Sequence, residues 1–345
     1  MGLTAELGLD LDWPMALGGP PLMGILRAQP SDFCVRELMP LTPTGAGEHL
    51  WLRIRKTGTN TDWVAEQLAD YFGVARKFVS YAGRKDRHAV TEQWFCVHTT
   101  IDMDPGEYWP GVEVLEAARH QRKLRLGTHS GNEFALKLRG LSGDRGVAER
   151  RLAAIAARGV PNYYGEQRFG RQGANLDLAR RLFAGRRLSR NKRSLALSAV
   201  RSYLFNLVLA ERVKTGCWDE LIAGDLANLD GSGSVFPVIE VTAELQDRLR
   251  RFDIHPSAPL VGRDGVNTTA DALALESAVL EAQPELAKGV AAQGVASARR
   301  ASRCVLKDFS WQWLNADRLE LRFSLPSGVF ATSVVRELMR VDPDA

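Results

Sequence analysis

The order in which hydrophobic periodicities follow one another along the chain constrains its fold more than any other feature. Segments 22–28, 33–38 and 48–56 read as strands, the last most clearly, because Leu50, Leu52 and Ile54 alternate with Trp51, Arg53 and Arg55. That period of two puts one face in a core and the other toward solvent or ligand. A helix is predicted next: Asn60 or Thr61 caps it, Val64, Leu68 and Phe72 form a stripe at four-residue spacing, and Gly73 stops it. Phe78–Ala82 then reads as a strand that delivers a turn, and Trp94–Val97 as the strand leaving it. From about Val147 the periodicity becomes helical, over Val147–Ala157, Leu176–Phe183, Ser194–Arg212, Ala270–Leu280 and Pro284–Cys304, with a turn at 230–234. Strands return only at Val305–Trp313 and Leu319–Leu325, and a helix over Ala331–Arg340 closes the chain. Strand-rich, helix-rich, strand-rich is the order produced by one domain with a second inserted into it, and 345 residues exceed the usual size of a single domain.

Composition excludes several classes. Hydrophobic residues make up 45% and charged residues 25%, which suits a globular chain with a full core rather than a disordered one. Nowhere do 18 consecutive apolar residues occur, and Met1–Glu6 has no basic stretch leading into an apolar run, so the expectation is a cytoplasmic protein with no membrane association. Cys34, Cys96, Cys217 and Cys304 lie far apart without a Cys-x-x-Cys pair, which reads as reduced core thiols. The six histidines have no metal-ligand spacing, so no metal is expected. Neither Gly-x-Gly-x-x-Gly nor a phosphate-binding Gly-x-x-x-x-Gly-Lys-Ser/Thr occurs, which disfavours a nucleotide cofactor.

The net charge of +4 hides an asymmetry. Between Asp177 and Glu211 there is no acidic residue, while Arg180, Arg181, Arg186, Arg187, Arg190, Lys192, Arg193 and Arg201 supply eight cations; the remaining 37 cations face all 41 acids. A window carrying more than the whole excess is the footprint expected of a surface that binds a polyanion. Arg119–Arg125 adds four more cations in seven residues. Within Tyr81–Gln93 one carboxylate, Asp86, stands among Arg84, Lys85 and Arg87 after Gly83. Three cations so close favour an ionised Asp86 and can grip phosphates on either side of a target nucleotide, with Gly83 supplying the turn. A charged surface turn is the bland alternative.

The wording of this stretch, Tyr-Ala-Gly-Arg-Lys-Asp-Arg-His-Ala-Val-Thr-Glu-Gln, resembles the nucleophile motif of the tRNA pseudouridine synthase D family almost residue for residue. Four further blocks are similar to the same family and occur in its order: Pro30–Phe33, Gly131–Phe134, Pro161–Gly170 and Phe330–Glu337. The resemblance implies an α+β fold, a catalytic core of mixed, mainly antiparallel sheet spanning 1–158 and 305–345, with a helix-rich α/β domain inserted over 159–304. It implies isomerisation of uridine to pseudouridine at position 13 in the D-arm of tRNA, without a cofactor, by a chain expected to be a monomer.

Carried onto this sequence, the resemblance makes Asp86 the catalytic aspartate and Phe33, Asn132 and Phe330 substrate-binding residues. Phe134 stands where many pseudouridine synthases have tyrosine and would pack beneath the base. Arg27 stands where better-known relatives carry lysine, a departure that keeps the charge and changes the hydrogen-bond geometry. Arg84, Lys85, Arg87, Arg186, Arg187, Arg190, Lys192 and Arg193 are candidate contacts to the RNA backbone. Read without the family, Phe33 is as well a core strand residue, Asn132 a turn residue and Phe330 a helix-start staple. The alternative function is an RNA-binding or RNA-folding protein without catalysis, which would have no use for a carboxylate inside a cation cluster.

Overall fold

In the computed structural model, residues 11–342 are described, and they divide into two compact units, each treated by itself. One unit comprises Pro21–Leu152, Leu306–Gly328 and the end of the chain from Met339. Its centre is an 11-stranded sheet in which Lys307–Trp313, Leu319–Pro326, Gly131–Gly143, Phe33–Leu38, Val90–His98, His49–Thr57, Val112–His120 and Gly106–Trp109 lie side by side in that order. Leu22–Leu26 and Val79–Tyr81 join at the side, pairing with Gly131–Gly143 and Val90–His98 respectively. Two pairings are parallel, Phe33–Leu38 with Val90–His98 and Leu22–Leu26 with Met339–Val341, and the rest are antiparallel. The expected mixed, mainly antiparallel sheet is therefore present.

The helix Thr61–Tyr71 covers one face of that sheet. Val64, Leu68 and Phe72 are buried against Leu50, Leu52, Ile54, Phe95 and Val97, as the spacing predicts. Each such fully buried side chain contributes about 1.5–3 kcal/mol. Asn60 is the N-cap, and Gly73 follows the helix with φ +62°, a conformation in which a side chain would be strained.

The second unit contains Ala153–Val305 and Val329–Leu338, together with the described residues up to Pro20. The helix Arg190–Lys214 runs through its core, with Val200, Leu204, Phe205, Val208 and Leu209 fully buried. The helices Ala174–Phe183, Ala270–Glu281 and Pro284–Ala292 pack on it.

Several expectations fail in this unit. Strands do not wait until Val305: Leu226–Leu229 pairs with Val235–Pro237, and Ser257–Leu260 with Ala298–Ala301. The alanine-rich stretch from Pro284 does not run to Cys304, because the helix ends at Ala292, Gly294 takes φ +72°, and the chain turns back as the strand Ala298–Ala301. The helix Ala243–Arg250, with Thr242 Oγ1 accepting the Leu245 N–H, had no expected counterpart. The last helix stops at Leu338, and Met339–Val341 leaves it as a strand of the other unit's sheet. Among the described residues no helix is long and apolar enough to cross a membrane. Cys96 and Cys304 are core thiols as expected, whereas Cys34 and Cys217 are only half-buried.

Candidate active site

Asp86 sits in the connection between the strands Val79–Tyr81 and Val90–His98, which pair with each other. A rigid sheet thus displays the loop from both ends. Asp86 Oδ2 lies 2.8 Å from Arg27 Nη1, and each of these side chains is about a quarter exposed, at 26% and 25%. The other carboxylate oxygen, Oδ1, accepts the His88 N–H at 3.0 Å, a local bond that fixes the side-chain direction.

Arg27 is held from a second side. Its guanidinium lies over the Phe33 ring, 3.9 Å from the centroid. Its backbone has φ +69°, in the left-handed region, which costs an arginine about 1–3 kcal/mol and recurs at functional sites. Its Nε is buried without a hydrogen-bond partner among the described residues.

Phe33 and Phe134 are neighbours on adjacent strands, with Phe33 paired to Leu136 and Val35 to Phe134. The rings meet edge to face at 6.2 Å, and Phe134 also stacks on Phe323 at 5.4 Å. Both are buried, so Arg27, rather than solvent, covers the Phe33 face. The Pro30–Phe33 block owes its shape to Asp32, which is fully buried, accepts the Gln29 N–H at 3.1 Å and takes two guanidinium bonds from Arg139 at 2.7 and 2.8 Å. Gly131 is required by packing: a Cβ there would stand 2.4 Å from the Leu325 carbonyl oxygen. Asn132, the next residue, carries a buried Oδ1 with no partner among the described residues.

The three cations next to Asp86 do not turn to it. Lys85, expected to contact RNA, points inward: its Nζ lies 2.7 Å from Glu37 Oε1, with the two side chains 6% and 0% exposed. Glu37 Oε2 accepts the Trp94 N–H at 3.0 Å, so that carboxylate is fully committed. A buried charge needs such a partner, and the pairing takes the Lys85 ammonium away from any phosphate. Arg84 reaches Asp62 at 3.2 Å, and Arg87 Nε donates to the Gly58 carbonyl at 3.2 Å. The cation on the Asp86 carboxylate is Arg27. Gly83 is likewise not a left-handed turn residue; it is small because a Cβ would meet His129 Cε1 at 2.9 Å.

Two bracing groups went unnoticed in the sequence. Thr61 Oγ1 donates to Gln93 Oε1 at 2.9 Å and accepts the Lys85 N–H at 3.0 Å, while Gln93 Nε2 donates to the Gly83 carbonyl at 2.9 Å. Lys56, fully buried, donates from Nζ to the carbonyls of Asp86 and Thr59, each at 2.8 Å. Burial pushes its ammonium down to about 8, against the opposing pull of Asp86. Lys56 shares the parity of Leu50, Leu52 and Ile54, and that inward register was the available signal.

The remaining candidates belong to the second unit. Phe330 packs against that unit's core, and its ring lies 3.8 Å from where a Cβ on Gly165 would be. Within the Phe330–Glu337 block, fully buried Glu337 accepts the N–H groups of Ala16 and Leu17 at 3.2 and 3.1 Å, and Ser333 Oγ donates to the Tyr163 carbonyl. The Pro161–Gly170 block is tied down similarly: Asn162 Nδ2 donates to Ala301 O, and Asn206 exchanges two bonds of 2.9 Å with the Tyr164 backbone. Arg168 donates to Ser198 Oγ at 3.1 Å and lies over the Tyr164 ring.

Arg186, Arg187, Arg190, Lys192 and Arg193 are all exposed. Three of them occupy the first turn of the helix Arg190–Lys214, which has no acid there. Cations at that end oppose the helix dipole and lower its stability slightly, while the free N–H groups and the guanidiniums both suit an anion. Arg193 also donates to Gln293 O and Oε1 at 3.2 and 3.1 Å, and Arg201 is spent on the carbonyls of Leu260 and Ala296. Among the described residues no group of three or more His, Cys, Asp or Glu is placed to hold a metal ion.

The family model described as "tRNA pseudouridine synthase D (TruD)" matches residues 15–184 and 181–338. The chain is 47% identical over 334 residues to tRNA pseudouridine synthase D of Aeromonas salmonicida, covering 94% of this chain and 93% of that protein. It is 46% identical over 343 residues to tRNA pseudouridine synthase D of Methylococcus capsulatus, covering 97% and 96%. A crystal structure from Methanosarcina mazei bearing the same family name superimposes with a TM-score of 0.76 over 98% of both chains, at 20% identity, and so shares the fold. A family match over nearly the whole chain, relatives at this identity and a shared fold lead to one conclusion: the chain belongs to the tRNA pseudouridine synthase D family.

Proposed function

We propose that the chain isomerises a uridine of tRNA to pseudouridine, at position 13 in the D-arm, with Asp86 as the group that opens the reaction. The observation that carries this reading is the Asp86 carboxylate, held through one oxygen by Arg27 and through the other by the His88 N–H. The reaction breaks the bond from C1′ to N1, turns the uracil and joins C1′ to C5; the C5 proton is lost and N1 gains one. No redox or phosphoryl step is involved, so no cofactor is needed. Asp86 starts it either by attacking the sugar or by removing a sugar proton, and both routes use the carboxylate as an anion.

The target base leaves its stack to reach Asp86. Asn132 Oδ1 and Arg27 Nε, an acceptor and a donor without partners among the described residues, suit the polar edge of uracil. Phe33 and Phe134 supply apolar surface for the base. Arg186, Arg187, Arg190, Lys192 and Arg193 contact phosphates, with smaller contributions from exposed Arg84 and Arg87. Residues 159–304 form a domain inserted into the catalytic core, and the protein acts as a cytoplasmic monomer.

Carbodiimide labelling followed by primer extension on an unmodified tRNA transcript tests the reading. A reverse-transcription stop at position 13 that appears only after incubation with the protein is expected. Stops elsewhere, or none with a transcript that the protein binds, would overturn it.

A further inference from the structure

We infer that Lys56 is a positioning residue for the reaction: its buried ammonium fixes the backbone of the catalytic loop at Asp86 itself, so that the carboxylate is in place before tRNA arrives. The inference rests on the proposed role of Asp86. Lys56 is fully buried, and burying an ammonium is costly unless its donors are used. Both observed acceptors are main-chain carbonyls, Asp86 O and Thr59 O at 2.8 Å, so the lysine clips the loop after Gly83 to the turn that begins the helix Thr61–Tyr71. Among the described residues no carboxylate bonds it.

The carboxylate of Asp86 is engaged elsewhere, by Arg27 and by the His88 N–H. Lys56 therefore acts on the backbone of the residue whose side chain Arg27 orients. The two cations have separate roles, Lys56 setting where the Cα lies and Arg27 where the oxygens point. Placement matters because a shift of about 1 Å in a reacting group can cost roughly 100-fold in rate.

The surroundings of Lys56 favour a single purpose. In register it faces Thr91 on one neighbouring strand and Val112 on the other, neither of which titrates. The charged groups that act on it are Asp86, which favours the ammonium, and Lys85, which disfavours it. A purely structural residue at this inward position would be another leucine or isoleucine, continuing Leu50, Leu52 and Ile54 without the cost of a buried charge.

The test is single-turnover conversion of an unmodified tRNA transcript, titrated with enzyme to give both the maximal rate and the half-saturating concentration. Wild type, Lys56→Met and Asp86→Asn are compared. Lys56→Met is expected to lower the maximal rate by about 100-fold while leaving half-saturation within about threefold, and Asp86→Asn to yield no product. An unchanged maximal rate in Lys56→Met, or a loss confined to half-saturation, would overturn the inference. Should Lys56→Met not fold, the wild type alone decides. Its maximal rate should fall as pH rises through about 8, because the neutral amine loses the charge that strengthens both bonds, while its melting temperature does not fall in parallel. A rate that is flat from pH 7 to 9 would overturn the inference. A wild type that makes no pseudouridine at all would instead defeat the reading of the reaction, which keeps the two failures apart.

Discussion

Around Asp86, Lys85 is paired with Glu37 inside the protein, Arg84 reaches Asp62, and Arg87 donates to the Gly58 carbonyl. In the segment from Arg186 to Arg193 the same residue types stay exposed, three of them crowding a helix start where the dipole disfavours cations. In sequence the two regions look alike, each a run of arginines and lysines without an intervening acid except Asp86. In the folded protein the first run holds a loop in place, whereas in the second Arg186, Arg187, Arg190 and Lys192 stay exposed and Arg193, also exposed, is bonded to Gln293. A charge run therefore says little until the partners of each charge are known. A cation with a buried carboxylate or a carbonyl is part of the scaffold, as Arg193 is through Gln293, and exposed cations such as Arg186, Arg187 and Arg190 are the candidates for a contact outside.

The sharpest way to break this comparison is at Glu37. Glu37→Gln leaves the Lys85 ammonium buried without its counter-charge, and should destabilise the protein by about 3–5 kcal/mol in denaturant unfolding. Replacing both partners, Glu37→Met with Lys85→Met, should recover most of that loss. If Glu37→Gln unfolds like wild type, Lys85 is not part of the scaffold and can serve RNA after all.

The second region has the next largest effect, on binding. Arg186→Gln, Arg187→Gln and Arg190→Gln together should weaken tRNA affinity by about 10–100-fold at moderate salt. They should also reduce the slope of log affinity against log salt by roughly 2–3, as expected when three phosphate contacts go. Filter binding across a salt series measures both. The same triple variant should be as stable as wild type or slightly more so, since it removes the Arg190 cation from a helix start.

The smallest effects belong to the exposed members of the first run. Arg84→Gln and Arg87→Gln should each change tRNA affinity by less than about threefold and stability by less than about 1 kcal/mol, because exposed ion pairs and surface bonds contribute little. A tenfold loss of affinity from either would move that arginine from the scaffold to the RNA surface.

Much of this layout was legible in the sequence, and the misses share a cause. The strand His49–Thr57, the helix Thr61–Tyr71 and the loop position of Asp86 followed from local periodicity and turn chemistry. The strand Ala298–Ala301 did not, because its alanines favour helix locally while its pairing partner, Ser257–Leu260, lies about forty residues earlier in the chain. Arg299 of that strand also completes a buried bond network with Glu276 and Ser257, which local pattern cannot show. At the candidate site, Asp86, Phe33, Phe134, Asn132 and Arg27 were named from sequence, yet the pairing of Arg27 with Asp86 joins residues nearly sixty apart. Lys56 was hidden by its type: a lysine at the end of a strand reads as solvated, and only its register says otherwise.

The most direct test of the central claim is tritium release from a tRNA transcript labelled at uridine C5, comparing wild type with Asp86→Asn at concentrations where both bind the RNA. Release by wild type, with the variant reduced by at least about a thousandfold and binding retained, is the predicted result. Release by Asp86→Asn at a rate near that of wild type would contradict the claim that this carboxylate, held by Arg27 and carried on a loop braced by Lys56 and Lys85, opens the reaction.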